Sequence, residues 1–369
     1  MQTYLRSHTT NLYSLALGKG LLAKFEQPTM PTIALVVLNY NGQHLLAQFL
    51  PHLLRHSPIH SIIVADNASQ DDSVAFLKAH YPHVQCMALA QNMGFAKAYN
   101  QVLQKIRATY YVLLNTDVEV TPGWLPPLIQ LMEQHPHIGA CQPKVLAYDK
   151  RHLFEYAGAG GGYIDRWGYP FCRGRLFGTL EADRGQYDDT IPIFWASGAC
   201  FCVRSHVFHT LGGFDERFFA HYEEIDLCWR MQRHGFAVYH CGKSQVYHMG
   251  GATIRPDSPE KVYLNFRNRA LTYYKNSPPQ GFWQQLCYKA LDVLAAIRAC
   301  LVGKPKHAWA IVRALRDFHK MRKYYPRPQP YPWPMQHMYK GCLPWAYFVR
   351  GKRTWASLSP VDQGLAPWP

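Results

Sequence analysis

This 369-residue chain contains no Cys-x-x-Cys pair, no Gly-x-Gly-x-x-Gly after its first strand pattern, and no long apolar run free of charge. Without paired cysteines a zinc finger or ribbon is not expected. Cys200 and Cys202 lie in a strand-like run expected to point them to different sides, so the ten cysteines read as buried free thiols in a reducing compartment. The missing glycine fingerprint argues against a dehydrogenase. No Gly-rich phosphate loop with an early lysine follows Asn39, which argues against a nucleotidyltransferase. The best apolar run, Leu286 to Val302, is broken by Lys289, Asp292 and Arg298, so no membrane span is expected. Residues 1–29 lack the apolar core of a secretory leader. They read as a dispensable extension or a misplaced start, with Met30 immediately before the first convincing strand.

Charge is scarce and one-sided. Only 17% of residues are charged and 48% are apolar, which suits a packed core rather than a disordered chain. Asp and Glu number 24 against 39 Lys and Arg, net +15, a balance that draws polyanions. Nucleic acid, an anionic membrane surface and phosphate-bearing small molecules are the candidate classes. No nucleic-acid-binding motif accompanies the charge, so no nucleic-acid partner is expected.

The first half alternates strand and helix patterns. Thr32–Asn39, Ser61–Ala65, Val84–Leu89 and Tyr110–Leu114 read as buried strands. His44–Arg55, Val74–His80 and Gly94–Arg107 read as the helices between them. This βαβαβαβ order predicts a mostly parallel sheet with helices on both faces. Ligands of such sheets sit beyond the carboxyl ends of the strands. Three polar clusters fall there: Asn39-Tyr40-Asn41, Asp66-Asn67 and Asn115-Thr116-Asp117. The middle, Tyr156 to Gln186, is rich in Gly and aromatics and reads as loops and short strands around a pocket. From about Pro259 helical patterns dominate. Lys304 to Arg327 holds eight Lys and Arg against one acid, Asp317, and Pro326 to Pro334 reads as a loop.

Three segments carry chemistry. In LLNTDVEV a buried strand ends in Asn115-x-Asp117, oxygen donors able to hold Mg²⁺ or Mn²⁺ against a diphosphate; a turn cap is the plainer alternative. In YEEIDLCWR, Glu223 and Asp226 share one helix face and Glu224 points elsewhere. Clustered acids raise one another's pKa, which suits a general base; a solvated helix start is the alternative. His248 in QVYHMGG could complete a metal site with Asp117.

In order, VVLNYNG, VADNASQDDS, NMGFAKAYN, LLNTDVEV, WASGACFCVR, GGFDERFFAHYEEIDLCWR and VYHMGG resemble the family 2 glycosyltransferases, in particular a bacterial rhamnosyltransferase-like branch. The resemblance covers roughly Pro31 to Asn276. YLNFRNRALTYYKN and WAYFVRGKRT also resemble the C-terminal part of bacterial members. The fold implied is α/β, of GT-A type, a mostly parallel mixed sheet flanked by helices. Residues 1–30 would be an extension, 31–258 the catalytic domain and 259–369 a basic helical C-terminal region.

The resemblance also implies roles. Asp66 matches the aspartate that reads the nucleobase edge, and Asn39 and Asn41 the strand-one end that contacts the nucleotide. Asn92, Gly94, Lys97 and Asn115 join the nucleotide site. Asn115 and Asp117 match a metal motif usually written with two aspartates, so Asp117 would carry most of a divalent metal, with His248 joining it. Glu224 matches the second acid of a Glu-Asp pair, the expected base, one methylene longer here; Glu223 and Asp226 are alternatives. Trp195 and Gly198 are candidates for the acceptor pocket. The implied reaction moves a sugar from a UDP- or dTDP-sugar to a hydroxyl of a glycan or lipid-linked acceptor, with inversion, in cell-surface polysaccharide synthesis. A non-catalytic nucleotide-sugar-binding protein of the same fold and a sugar nucleotidyltransferase are the alternatives. The basic helices suit peripheral contact with the inner face of the cytoplasmic membrane, or else a solvated appendage.

Overall fold

Strand β1, Ile33–Asn39, is buried almost throughout because both of its faces are covered. Ile33, Leu35 and Val37 enter one core cluster, and Ala34 and Val36 enter the other. A strand buried on two faces reads as a continuous apolar run, and this one does. The computed structural model describes residues 31–58, 60–251, 257–279, 281–326 and 337–358. The expectations for residues 1–30 and for the proline-rich loop after Pro326 lie outside the described residues.

The elements that follow are α1 (Gln43–His56), β2 (Ser61–Asp66), α2 (Ser73–His80), β3 (Gln85–Ala88), α3 (Gly94–Leu103), β4 (Tyr110–Asn115), β5 (Val118–Val120) and α4 (Leu125–Gln134). Next come β6 (Ile138–Ala147), β7 (Gly162–Asp165), β8 (Pro170–Cys172), β9 (Arg175–Leu176), β10 (Thr179–Leu180), β11 (Thr190–Ile193), β12 (Cys200–Arg204) and α5 (Ser205–Thr210). The last are α6 (Glu223–Arg233), β13 (Ala237–His248), α7 (Pro259–Asn276), α8 (Phe282–Leu301), α9 (Pro305–Met321), β14 (Met338–Tyr339) and α10 (Leu343–Phe348).

The main sheet runs β11-β13-β6-β12-β4-β1-β2-β3, with β5 added on β13. β1 pairs in parallel with β2 and β4, so Asn39, Asp66 and Asn115 end at one sheet edge. Beyond β4 the sheet is mixed: β12 runs antiparallel to both β4 and β6. Helices flank it on both sides, α1 packing into one core cluster and α3 into the other. Helix α3 ends at Leu103, one turn short of Arg107. The Ile106 carbonyl there accepts from the Tyr111 hydroxyl, which fixes a turn instead of another helical turn.

Two expectations need correction. Cys200 and Cys202, two apart on β12, point to the same face and share one core cluster with Cys141. The side-chain period of a strand is two, so such residues share a face. The Gly- and aromatic-rich middle folds into a second sheet, β10-β9-β8-β7-β14, whose Tyr163, Phe171 and Leu176 are core residues rather than pocket lining. β14 joins it from the C-terminal region, pairing Met338 with Ile164 and Tyr339 with Asp165. The buried Asp165 carboxylate accepts from the Trp167, Tyr169 and Leu343 amides and so ties the C-terminal segment to this sheet.

Candidate active site

The polar ends of β1 and β2 brace each other. The Asn39 amide donates to Asp66 Oδ1 at 2.9 Å and to the Ser69 hydroxyl at 3.2 Å. Asp66 also accepts from the Ser69 amide at 2.9 Å and the Ser69 hydroxyl at 2.6 Å. A carboxylate offers about four acceptor positions, so Oδ2 keeps room for one more N–H. Asn41, at φ 51°, accepts from the Gln70 amide at 2.7 Å. Asn67 binds Asn92 Oδ1 and the Gly94 carbonyl, and Asn92 accepts from the Gly94 amide at 2.9 Å. Lys97 lies exposed on α3. Asn39, Asn41, Asp66, Asn92 and Gly94 are therefore joined through Asn67 and Ser69 in one hydrogen-bonded ridge, with Lys97 on the helix beside it and Asn115 at the end of β4.

Asp117 and His248 meet across the β4–β5 turn and the end of β13. His248 Nε2 lies 3.2 Å from Asp117 Oδ1, and Asp117 Oδ2 accepts from the Gly250 amide at 3.1 Å. Asn115 Nδ2 is 3.3 Å from the same Nε2. On the other side of the ring, Nδ1 lies 3.3 Å from Glu155 Oε1. Burial alone would lower the His248 pKa, but the Asp117 and Glu155 carboxylates win and raise it to about 10. Two carboxylates thus draw positive charge to this point, and a divalent ion bound there would displace the proton from the ring nitrogen facing Asp117. Glu155 was not a sequence candidate; HLFEYAG carries no motif, and only the fold brings it to His248.

Asp117 and His248 supply one oxygen and one nitrogen donor side by side. Among the described residues no three His, Cys, Asp or Glu side chains converge as a cage. Mg²⁺ and Mn²⁺ bound with a nucleotide take one or two protein ligands, the rest being phosphate oxygens and water. The residues present fit such an ion. Glu155 would hold the His248 ring in place from behind.

The acids of α6 separate sharply. Asp226 is fully buried and ion-paired: Arg230 Nε lies 2.9 Å from Oδ2, Lys275 Nζ 3.1 Å, and the Asn276 amide donates to Oδ1 at 2.7 Å. Burial would raise its pKa, yet Lys275 and Arg230 hold it below the ordinary carboxylate range. The Asp226 charge is committed to Arg230 on its own helix and Lys275 on α7, which argues against it as an alternative base. Glu223 and Glu224 have no such cations. Burial, reinforced by Glu224, pushes Glu223 well up, and burial raises Glu224 to about 7. Each keeps one buried carboxylate oxygen without a hydrogen bond.

Gly198 faces this pair. A Cβ there would lie 3.9 Å from Glu224 Oε1 and 3.5 Å from Phe95 Cζ, so glycine leaves the approach to Glu224 open. The next residue, Ala199, accepts through its carbonyl from the Asn115 amide at 3.1 Å, linking the Gly198 segment to the end of β4. Trp195 departs from expectation. It is 3% exposed, donates through Nε1 to the Tyr163 carbonyl at 2.8 Å, and presses on Gly162. Its indole packs the two sheets together and offers no acceptor surface.

The Glu223–Glu224 pair follows a strained loop. Phe219, His221 and Tyr222 have φ of 67°, 69° and 75°, each costing on the order of 1–3 kcal/mol for a non-glycine residue. The Phe219 carbonyl accepts from the Phe95 amide at the start of α3. From α7, the buried Asn268 amide donates to the carbonyls of Phe218, Ala220 and His221 at 3.0, 2.9 and 2.7 Å. Arg267 adds a bond to Phe218 at 2.7 Å. Asn268→Ala should lower kcat on the order of ten- to a hundred-fold while nucleotide affinity holds, because it frees the loop and not the ridge. Isothermal titration beside steady-state rates separates the two, and an unchanged kcat would refute the positioning role.

Glu223 makes a second prediction. Its raised pKa means the folded state keeps a proton that the unfolded chain releases, so stability falls as pH climbs above about 4.3, the ordinary Glu value. Glu223→Gln should therefore raise the melting temperature at pH 8 and do little at pH 5. Equal gains at both pH values would contradict it.

Residues 34–206 match the family model for glycosyl transferase family 2. An N-acetylglucosaminyl-diphospho-decaprenol L-rhamnosyltransferase of Mycobacterium tuberculosis is 25% identical over 288 residues, 73% of this chain and 92% of the relative. A low-salt glycan biosynthesis hexosyltransferase, Agl10, of Haloferax volcanii is 23% identical over 309 residues, 82% of this chain and 90% of the relative. The solved structure of GalNAc-T7 with UDP, GalNAc and Mn²⁺ superposes with a TM-score of 0.52 at 16% identity, covering 82% of this chain and 59% of that one.

Proposed function

With a family 2 glycosyltransferase domain on a GT-A sheet as the premise, we propose that this enzyme transfers a sugar from a UDP- or dTDP-sugar to a hydroxyl of a lipid-linked glycan, with inversion, in cell-surface polysaccharide synthesis. The observation that carries the reading is the pairing of a free, half-buried Glu224 with an Asp117–His248 donor pair across the Gly198–Ala199 segment. The acceptor class follows the rhamnosyltransferase relative, whose name specifies a diphospho-decaprenol substrate.

Asp66, Asn39, Asn41 and the Asn67–Asn92–Gly94 ridge hold the nucleoside, with Lys97 beside the phosphates. Asp117 and His248 would hold a divalent ion, Asn115 flanking them. When bound, that ion supplies positive charge to the departing diphosphate. Glu224 takes the proton from the acceptor hydroxyl as its oxygen attacks the anomeric carbon and the bond to the diphosphate breaks. One displacement inverts the configuration. Gly198 leaves space for the acceptor.

No helix among the described residues is long and apolar enough to cross a membrane. A lipid-linked acceptor then requires peripheral contact with the inner face of the cytoplasmic membrane, which the basic C-terminal helices favour. A panel of UDP- and dTDP-sugars, rhamnose included, tests the donor by thermal shift with Mn²⁺. At least one donor should raise the melting temperature, and silence from every donor would sink the reading.

A further inference from the structure

Helix α8 is turned inside out. Its polar residue Asp292 is fully buried and ion-paired to Arg269 of α7, and Tyr288 stacks on Tyr273 at 5.0 Å. Its solvent face carries Trp283, Leu286, Val293, Leu294, Ile297 and Leu301, with Leu294 60% and Leu301 82% exposed. Trp283, Leu286, Val293, Ile297 and Leu301 follow at spacings of three, four or seven residues, with Leu294 beside them, so they form one stripe along the axis. No charged side chain falls within it. Lys289 and Arg298, both exposed, flank it on opposite sides. Arg298 also lies over the ring of Phe348 at 4.9 Å, which continues the apolar surface onto Trp345 and Phe348 of α10. The neighbouring α9 exposes Arg313, Arg316 and Lys320.

We infer that the outer face of α8 inserts in the plane of an anionic phospholipid surface, with α10 at its edge and the cations of α9 over the headgroups. This rests on the peripheral-membrane reading and names the face that makes the contact. An apolar stripe bordered by cations matches an interface in which acyl chains lie beneath anionic phosphates. The helix is 20 residues long but carries Lys289, Asp292 and Arg298, so it lies in the interface and does not cross it. The buried Asp292–Arg269 pair anchors the helix against the domain, and Arg269 lies close enough to Tyr222 to bear on its hydroxyl.

The chain carries its own reporters. Cys287 and Cys300 are exposed on the same stripe, whereas Cys86, half-buried, lies on β3 at the far edge of the main sheet. The full chain is floated on vesicles of phosphatidylglycerol and phosphatidylethanolamine, then treated with a charged maleimide and mapped by mass spectrometry. Flotation is expected, with labelling at Cys287 and Cys300 slowed on the order of ten-fold and Cys86 unchanged. Leu294→Asp with Ile297→Asp should abolish flotation and leave nucleotide binding intact. Flotation with full labelling of both cysteines would overturn the α8 assignment and leave membrane contact standing through another face. Failure of the unaltered chain to float at low salt would overturn both. A self-associating chain that the double substitution renders monomeric, without flotation, would assign the face to a second copy and refute the lipid.

Discussion

Glu224→Gln should abolish turnover and leave donor binding within about two-fold of the parent. General-base assistance contributes on the order of 10²–10⁴ in rate, so the loss should fall in that range. Glutamine keeps the length and one oxygen of the side chain, and no hydrogen bond holds the Glu224 Oε2 that it replaces. The ridge of Asn39, Asp66 and Asn67 does not touch it. The pH profile supplies a second check. Burial raises the Glu224 pKa to about 7. A base acts only when deprotonated, so kcat should rise with pH through an inflection near that value and level off above it. Glu224→Asp should retain partial activity, being a shorter base on the same helix. Persistent turnover in the glutamine variant would transfer the role to Glu223, the other acid of α6 without a cationic partner.

Asp117→Ala should remove metal-dependent donor binding, with a loss on the order of a hundred-fold or more in affinity measured with Mn²⁺. Binding in the presence of EDTA should be unaffected. The alanine also strips the Gly250 amide and His248 of an acceptor. Asp117→Asn separates the effects: it keeps an oxygen for Gly250 but not the charge. If the asparagine variant binds Mn²⁺ and donor as the parent does, Asp117 is a turn residue and the metal reading fails. Removing Glu155 as Gln should weaken Mn²⁺ binding less, since it acts only through the orientation of His248.

The parallel half of the sheet was legible because its signal is local. Runs such as TIALVVLN state two-sided burial in their own composition, and the polar residues that end them state the sheet edge. The series of motifs carried the resemblance to family 2 glycosyltransferases for the same reason, each being a short string with a fixed neighbour order. The mixed half was less legible. β12 runs antiparallel between β4 and β6, and nothing within Cys200–Arg204 records the direction of its neighbours. The β14 strand is two residues long and takes its structure from β7 and Asp165.

Sequence alone determined which acids cluster: Glu223, Glu224 and Asp226 share one short string, and no rule of spacing ranks them. Tertiary structure gave them different surroundings. Lys275, on a helix the motif does not include, pairs with Asp226 and Asn276 hydrogen-bonds it, while Glu224 has no cation beside it and faces the bare backbone of Gly198. The same division holds for Glu155 behind His248 and Asn268 beneath the strained loop. Composition and period report what a residue needs from its surroundings, chiefly burial or water. A pKa or a positioning hydrogen bond depends on which charge or carbonyl arrives from elsewhere in the chain, and only folding brings it there.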